Sequence, residues 1–138
     1  MKRNDLQQLS QLRVKEARVL LDTRCFVGAY YLLGYAVECA LKACIAKQIK
    51  RYDFPDRKLI NDNYTYDLEK LLNISGLKDE LRRETQTNPN LAVHWTIVKD
   101  WSEESRYSIG ISETTARDFS SAVTARRDGV LSWLKKRW

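Results

Sequence analysis

Residues 28–43 read GAYYLLGYAVECALKA. They sit inside a longer run, 26–49, that is apolar almost throughout, yet Glu38 and Lys42 lie near its middle. The run reads as one long helix, and its environment decides the fold. Two charges near its centre would cost roughly 2.5–3.5 kcal/mol each in lipid, so a helix buried in a protein core is expected and not a membrane span. Being apolar nearly all round, it has to be covered on several sides. Ala36, Ala40 and Cys44 recur every four residues, a ridge of small side chains along which another helix can approach closely. Cover on that scale from one domain of this size is demanding, which leads to the expectation of a homodimer.

Working outward, residues 5–24 carry Leu6, Leu9, Val14, Ala17, Leu20 and Leu21, mostly at spacings of three or four, as in an amphipathic helix. From Tyr52 to Thr65 the Phe54-Pro55-Asp56 and Asn61-Asp62-Asn63 groups mark a loop. Thr65 is expected to cap a short helix over 66–73, with Asp67 and Glu69 in the first turn, where the helix dipole favours anions. Ser75 is expected to cap a helix to about Thr85. Asn88-Pro89 opens another, expected to run through Trp101. A charged loop over 102–112 follows, and Ser112 caps a final helix whose apolar side holds Ala116, Phe119, Val123, Val130 and Leu134. Asp128-Gly129 interrupts that helix. With 5 Gly, 2 Pro and no convincing strand, the chain reads as all-α.

The 138 residues suit a single domain over 1–138 with a real core. A composition of 43% hydrophobic and 30% charged residues is that of a globular chain and excludes a disordered one. Against 18 Asp+Glu stand 24 Lys+Arg, a formal charge of +6, with the cations clustered at Lys2-Arg3, Lys47 with Lys50-Arg51, Arg57-Lys58, Arg82-Arg83, Arg126-Arg127 and Lys135-Lys136-Arg137. That balance favours a polyanionic partner or serves solubility. The cysteines Cys25, Cys39 and Cys44 form no C-x-x-C, and small core thiols without metal are expected. The opening MKRNDLQQL has no apolar signal-peptide core, so a cytoplasmic location away from membranes is expected.

Phosphate-cradling and nucleophile-elbow motifs are absent from the sequence. The single histidine, His94, lies in LAVHWTIV and reads as a satisfied core residue. No cofactor is implied. Glu38 and Lys42 are spaced i, i+4 in the favourable acid-before-base order. Within 101–107 lie Trp101, Glu103, Glu104, Arg106 and Tyr107. On the residues alone two arrangements are open: Glu38 with Lys42 at a helix surface and Arg106 solvated, or Glu38 buried and held by the planar fork of Arg106.

Four stretches, in order, are similar to those of the HEPN domain family, small all-α domains of prokaryotic toxin–antitoxin and defence modules: GAYYLLGYAVECALKA, TYDLEKLL, DWSEESRY and GVLSWLKKRW. The resemblance spans 28–138 and implies an antiparallel four- to five-helix bundle that commonly dimerises. It implies a polar cluster of Glu38, Lys42, Trp101 and Glu113 near Arg106, and a nucleotidyltransferase or RNA as partner. On this reading Glu38 is expected to be buried and ionised, held by Arg106 with Lys42 as a secondary neighbour. Many members are metal-independent ribonucleases that use an arginine followed, after four to six residues, by a histidine. Here Arg106 and Tyr107 match the first part, but positions 111–113 are Ile111, Ser112 and Glu113, and Tyr66 stands where a histidine often begins the middle helix. A binding or partner module is therefore the leading expectation. The alternative is a ribonuclease toxin in which Arg106 and Tyr107 act without the usual histidine.

Overall fold

The structure is a computed structural model that describes residues 1–52 and 67–138. The expected Thr65 cap, Tyr66 and most of the 52–65 loop lie outside the described residues. Those residues that are described form seven α-helices and one 3₁₀ turn, with no strand among them. The architecture is all-α.

Helix α1 (Arg3–Asp22) buries Leu6, Ser10, Val14, Ala17 and Leu21, one stripe at spacings of three and four. It ends where Arg24 takes a left-handed conformation (φ 63°), which lets Cys25 N–H reach back to the Leu20 carbonyl at 2.7 Å. The chain then reverses into α2 (Phe26–Tyr52), the 27-residue helix that forms the axis of the fold. Ala36 and Ala40 are fully buried and Cys44 nearly so. The ridge they form is occupied from within the chain. The Ser10 hydroxyl of α1 donates to the Ala36 carbonyl at 2.7 Å, and Cys44 Sγ lies 4.0 Å from the Leu134 carbonyl. Besides α1, the helices Leu68–Ile74, Glu113–Thr124 and Val130–Lys135 and the 3₁₀ turn pack onto α2, so its apolar girth is covered by one chain. A second copy is no longer needed for that purpose.

Helix α3 (Leu68–Ile74) is capped by Asp67, whose carboxylate accepts from Glu69 N at 3.0 Å and Lys70 N at 3.2 Å. The helix therefore starts at Leu68, not at 66. Ser75 does not cap the next helix. Its hydroxyl donates to the Leu72 carbonyl at 2.6 Å, closing α3, and Gly76 (φ +76°) makes the left-handed turn that lets the chain leave. Helix α4 (Lys78–Thr87) follows, then α5 (Pro89–Val98), capped by Asn88 Oδ1 on Leu91 N at 3.2 Å with proline in the first turn. It stops at Val98, short of Trp101. The chain bends there, and the bend turns the Trp101 ring inward.

A 3₁₀ turn (Glu103–Tyr107), capped by Ser102, leads to α6 (Glu113–Thr124), where Ser112 Oγ accepts from Thr115 N at 3.1 Å as expected. The Asp128-Gly129 interruption is a true break: α7 (Val130–Lys135) starts after it. A side chain at Gly129 would collide with the Ala125 backbone, so the tight corner requires glycine there. Core side chains from α2 (Leu33, Val37, Leu41, Ile45) meet Phe119 of α6 and Leu131 and Leu134 of α7.

Candidate functional site

The candidate site lies along α2, where positions 31, 35, 38 and 42 share one side of the helix. Glu38 is 2% exposed. Its Oε2 is 3.7 Å from Lys42 Nζ, whose side chain is 18% exposed, while Oε1 has no hydrogen-bond partner among the described residues. Burial pushes the Glu38 carboxyl up, Lys42 pulls it back in part, and the Glu103 carboxylate pushes it further, to about 7. The group is thus half protonated near neutrality and not fully ionised as expected. The neighbouring Cys39 thiol is pushed up to about 12, by burial first and by Glu38 second, so it is inert as a nucleophile.

Arg106 does not hold Glu38. It is exposed, its guanidinium carbon lies 4.7 Å from the centre of the Tyr107 ring, and side-chain hydrogen bonds to Tyr107 and Tyr31 help keep its pKa up. The reason is the seating of Trp101. That ring is buried directly over Gly34 of α2, so close that a Cβ on Gly34 would fall well under 3.0 Å from its atoms. With the ring fixed there, the following turn brings the charge of Glu103 to bear on Glu38, while Arg106 reaches Tyr31. Trp101 is an apolar anchor and not a polar member of a cluster; its buried Nε1 has no hydrogen-bond partner among the described residues.

Glu113 belongs elsewhere. It accepts from Arg117 Nε at 2.8 Å and from Arg24 Nη2 at 3.2 Å, which lowers its pKa, the Arg117 hydrogen bond most. The two guanidiniums flank the Phe26 ring at 5.8 and 5.3 Å. The expected cluster therefore divides. Glu38 and Lys42 are paired, Trp101 packs beside them, and Glu113 ties α6 to the α1–α2 corner. His94 is half-buried and satisfied, with Nδ1 at 2.7 Å from the Asp128 carbonyl. Among the described residues no group of three His, Cys, Asp or Glu side chains gathers as a metal site.

Residues not singled out in the sequence complete the surface. The Tyr31 ring stacks on Trp101 at 6.1 Å and lies 6.1 Å from Tyr35, and Arg13 of α1, paired with Glu16, reaches over Tyr35 at 5.8 Å. Rings and cations thus share one strip: Arg13, Tyr35, Tyr31, Arg106, Tyr107. Tyr107 is 73% exposed and nearby Ile109 97%. The Tyr31-x-x-Gly34-Tyr35 spacing was the available signal, since it puts both rings beside a gap that only a large neighbour fills. Trp101 also borders a cleft of about 340 Å³ rimmed by Asp67, Glu69, Asp100, Glu103 and Glu104 with Lys99. No family model, curated protein or solved structure matches the chain.

Proposed function

We propose that this chain is a HEPN-like helical module that acts by binding, within a toxin–antitoxin or defence system, and that its strip of cations and rings takes single-stranded RNA. The observation that carries this reading is the strip itself. Bases stack on aromatic rings at roughly 1–3 kcal/mol each, for which the exposed Tyr107 and the half-buried Tyr31 and Tyr35 are candidates, and Arg106 between the rings meets a phosphate. The formal +6 supports it, and the acidic cleft beside Trp101 would turn a polyanion away on that side. A nucleotidyltransferase partner rests on the family resemblance alone. A homodimer, like that partner, rests on the family resemblance. By length and composition Phe26–Ile49 is apolar enough to cross a membrane, but 67% of it is buried in the bundle, and the cysteines are free, which favours a soluble protein of a reducing cytoplasm.

One observation favours the ribonuclease alternative. A carboxyl near 7 is poised for general acid–base work. Against it, Glu38 is shut behind Lys42 and paired with it, whereas Arg106 lies in solvent with tyrosines for company.

The test is fluorescence anisotropy of a labelled single-stranded RNA across a salt series, with a gel assay for cleavage in EDTA. Binding should weaken steeply with salt, Arg106→Ala should reduce the log–log slope by about 0.7, and the RNA should stay intact. Absence of binding at low salt, or binding indifferent to Arg106→Ala, would overturn the reading. EDTA-resistant cleavage abolished by Glu38→Gln would establish the alternative.

A further inference from the structure

We infer that the cleft between α3, α4 and α5 binds a small amphipathic anion, one or two apolar rings bearing a carboxylate, sulfonate or phosphate. The inference starts from the composition of α4, KDELRRETQT, in which Leu81 is the only buried residue. One apolar foot cannot fill the space between a helix and its neighbours. What otherwise fastens α4 is the ion pair of Glu80 with Arg137 at 2.8 Å, the arginine lying 3.8 Å from the centre of the Trp133 ring. The helix is therefore held off the body, and a cleft of about 320 Å³ remains under it. That is the size of a small-molecule site.

Its floor is Leu72, Leu81 and Trp95. The same three side chains wall a second, smaller void behind the first, which Trp133 also borders, and the buried Trp133 Nε1 has no hydrogen-bond partner among the described residues. The rim is charged. Lys78 and Arg82 are one turn apart on α4, so both overhang the same edge, and neither forms an ion pair with a described residue. The one acid of the rim among the described residues, Glu69, shares Lys99 with Asp100, each at 3.9 Å, so its charge is countered in part. An apolar floor beneath two cations without an ion-pair partner among the described residues selects a ligand with a flat apolar body and a negative head. A nucleic-acid chain does not fit a space of this volume, so the cleft and the strip on α2 are separate sites.

The test uses 1-anilinonaphthalene-8-sulfonate as the anion and N-phenyl-1-naphthylamine as the same body without charge, each titrated into the whole folded chain and followed by amide and indole NMR shifts. Shifts should be confined to Leu72, Lys78, Leu81, Arg82 and the Trp95 indole. The anion should bind at least about tenfold tighter than the neutral compound, since two charge-assisted contacts are at stake. The surface double variant Lys78→Gln/Arg82→Gln keeps the floor and should erase that preference while leaving the neutral compound's affinity unchanged. Thr85→Trp, which closes the rim, should weaken both. Equal affinity for the two compounds, a preference that survives the double variant, or shifts centred elsewhere would each overturn the inference.

Discussion

Glu38 on α2 and Arg106 on the 3₁₀ turn look alike in the sequence: each is a charge among aromatic and apolar residues, and they are natural partners. In the fold they live in different solvents. Glu38 is closed off behind Lys42 and keeps its proton up to about pH 7. Arg106 is exposed, and its neighbours are tyrosines. Burial, not proximity in the pattern, separates a group that costs stability from one that is free to meet a ligand. The acid is shaped by the core, and the arginine is left for the surface.

The joint that separates the two regions is Trp101 on Gly34, and it should show the largest effect. Gly34→Ala puts a Cβ inside the indole ring, whose surroundings are packed and cannot give. A loss of about 3 kcal/mol or more in urea unfolding is expected, at the upper end of overpacking penalties. A loss under about 1 kcal/mol would mean that the ring does not sit on α2, and the division between Glu38 and Arg106 would lose its cause.

Next comes Glu38→Gln. A carboxyl raised from 4.5 to about 7 binds its proton more tightly in the folded chain than in the unfolded one. Its contribution is therefore intact below pH 4.5 and is lost as pH rises towards 7, by about 3 kcal/mol in all. The stability of Glu38→Gln relative to the wild type should improve by that amount between pH 4.5 and pH 8, as read from urea midpoints at the two values. A difference independent of pH would place Glu38 in an ordinary, solvated environment.

The smallest effect belongs to Arg106→Ala. Loss of an exposed side chain without a carboxylate partner should leave the urea midpoint unchanged within error at any pH, while RNA affinity falls. A large loss of stability would restore the buried pair that the fold excludes.

Much of the fold was legible because its signals are local. Asn88-Pro89 and Ser112 start helices where caps belong, and Asp128-Gly129 breaks one where glycine has to be. Leu6, Val14, Ala17 and Leu21 mark the buried stripe of α1. The misplaced boundaries have local causes: Asp67 caps α3, Ser75 closes a helix instead of opening one, and Val98 ends α5 because the Trp101 ring is drawn into the core. The site was less legible because its contacts are long-range. Lys42 could be paired with Glu38 by spacing alone, but Arg13 over Tyr35 and Tyr31 against Trp101 join segments far apart in the chain, and no periodicity reports them. Glu113 stands where the family resemblance would put a histidine after Arg106, whereas in space its partners are Arg24 and Arg117.

The most direct test of the account is an NMR titration of the Glu38 side-chain carboxyl in the wild type and in Arg106→Ala. A midpoint of about 7 is expected in both proteins, since burial, Lys42 and Glu103 set it and Arg106 does not. A wild-type midpoint near 4.5 that climbs when Arg106 is removed would show that the arginine holds the glutamate after all, and would contradict it.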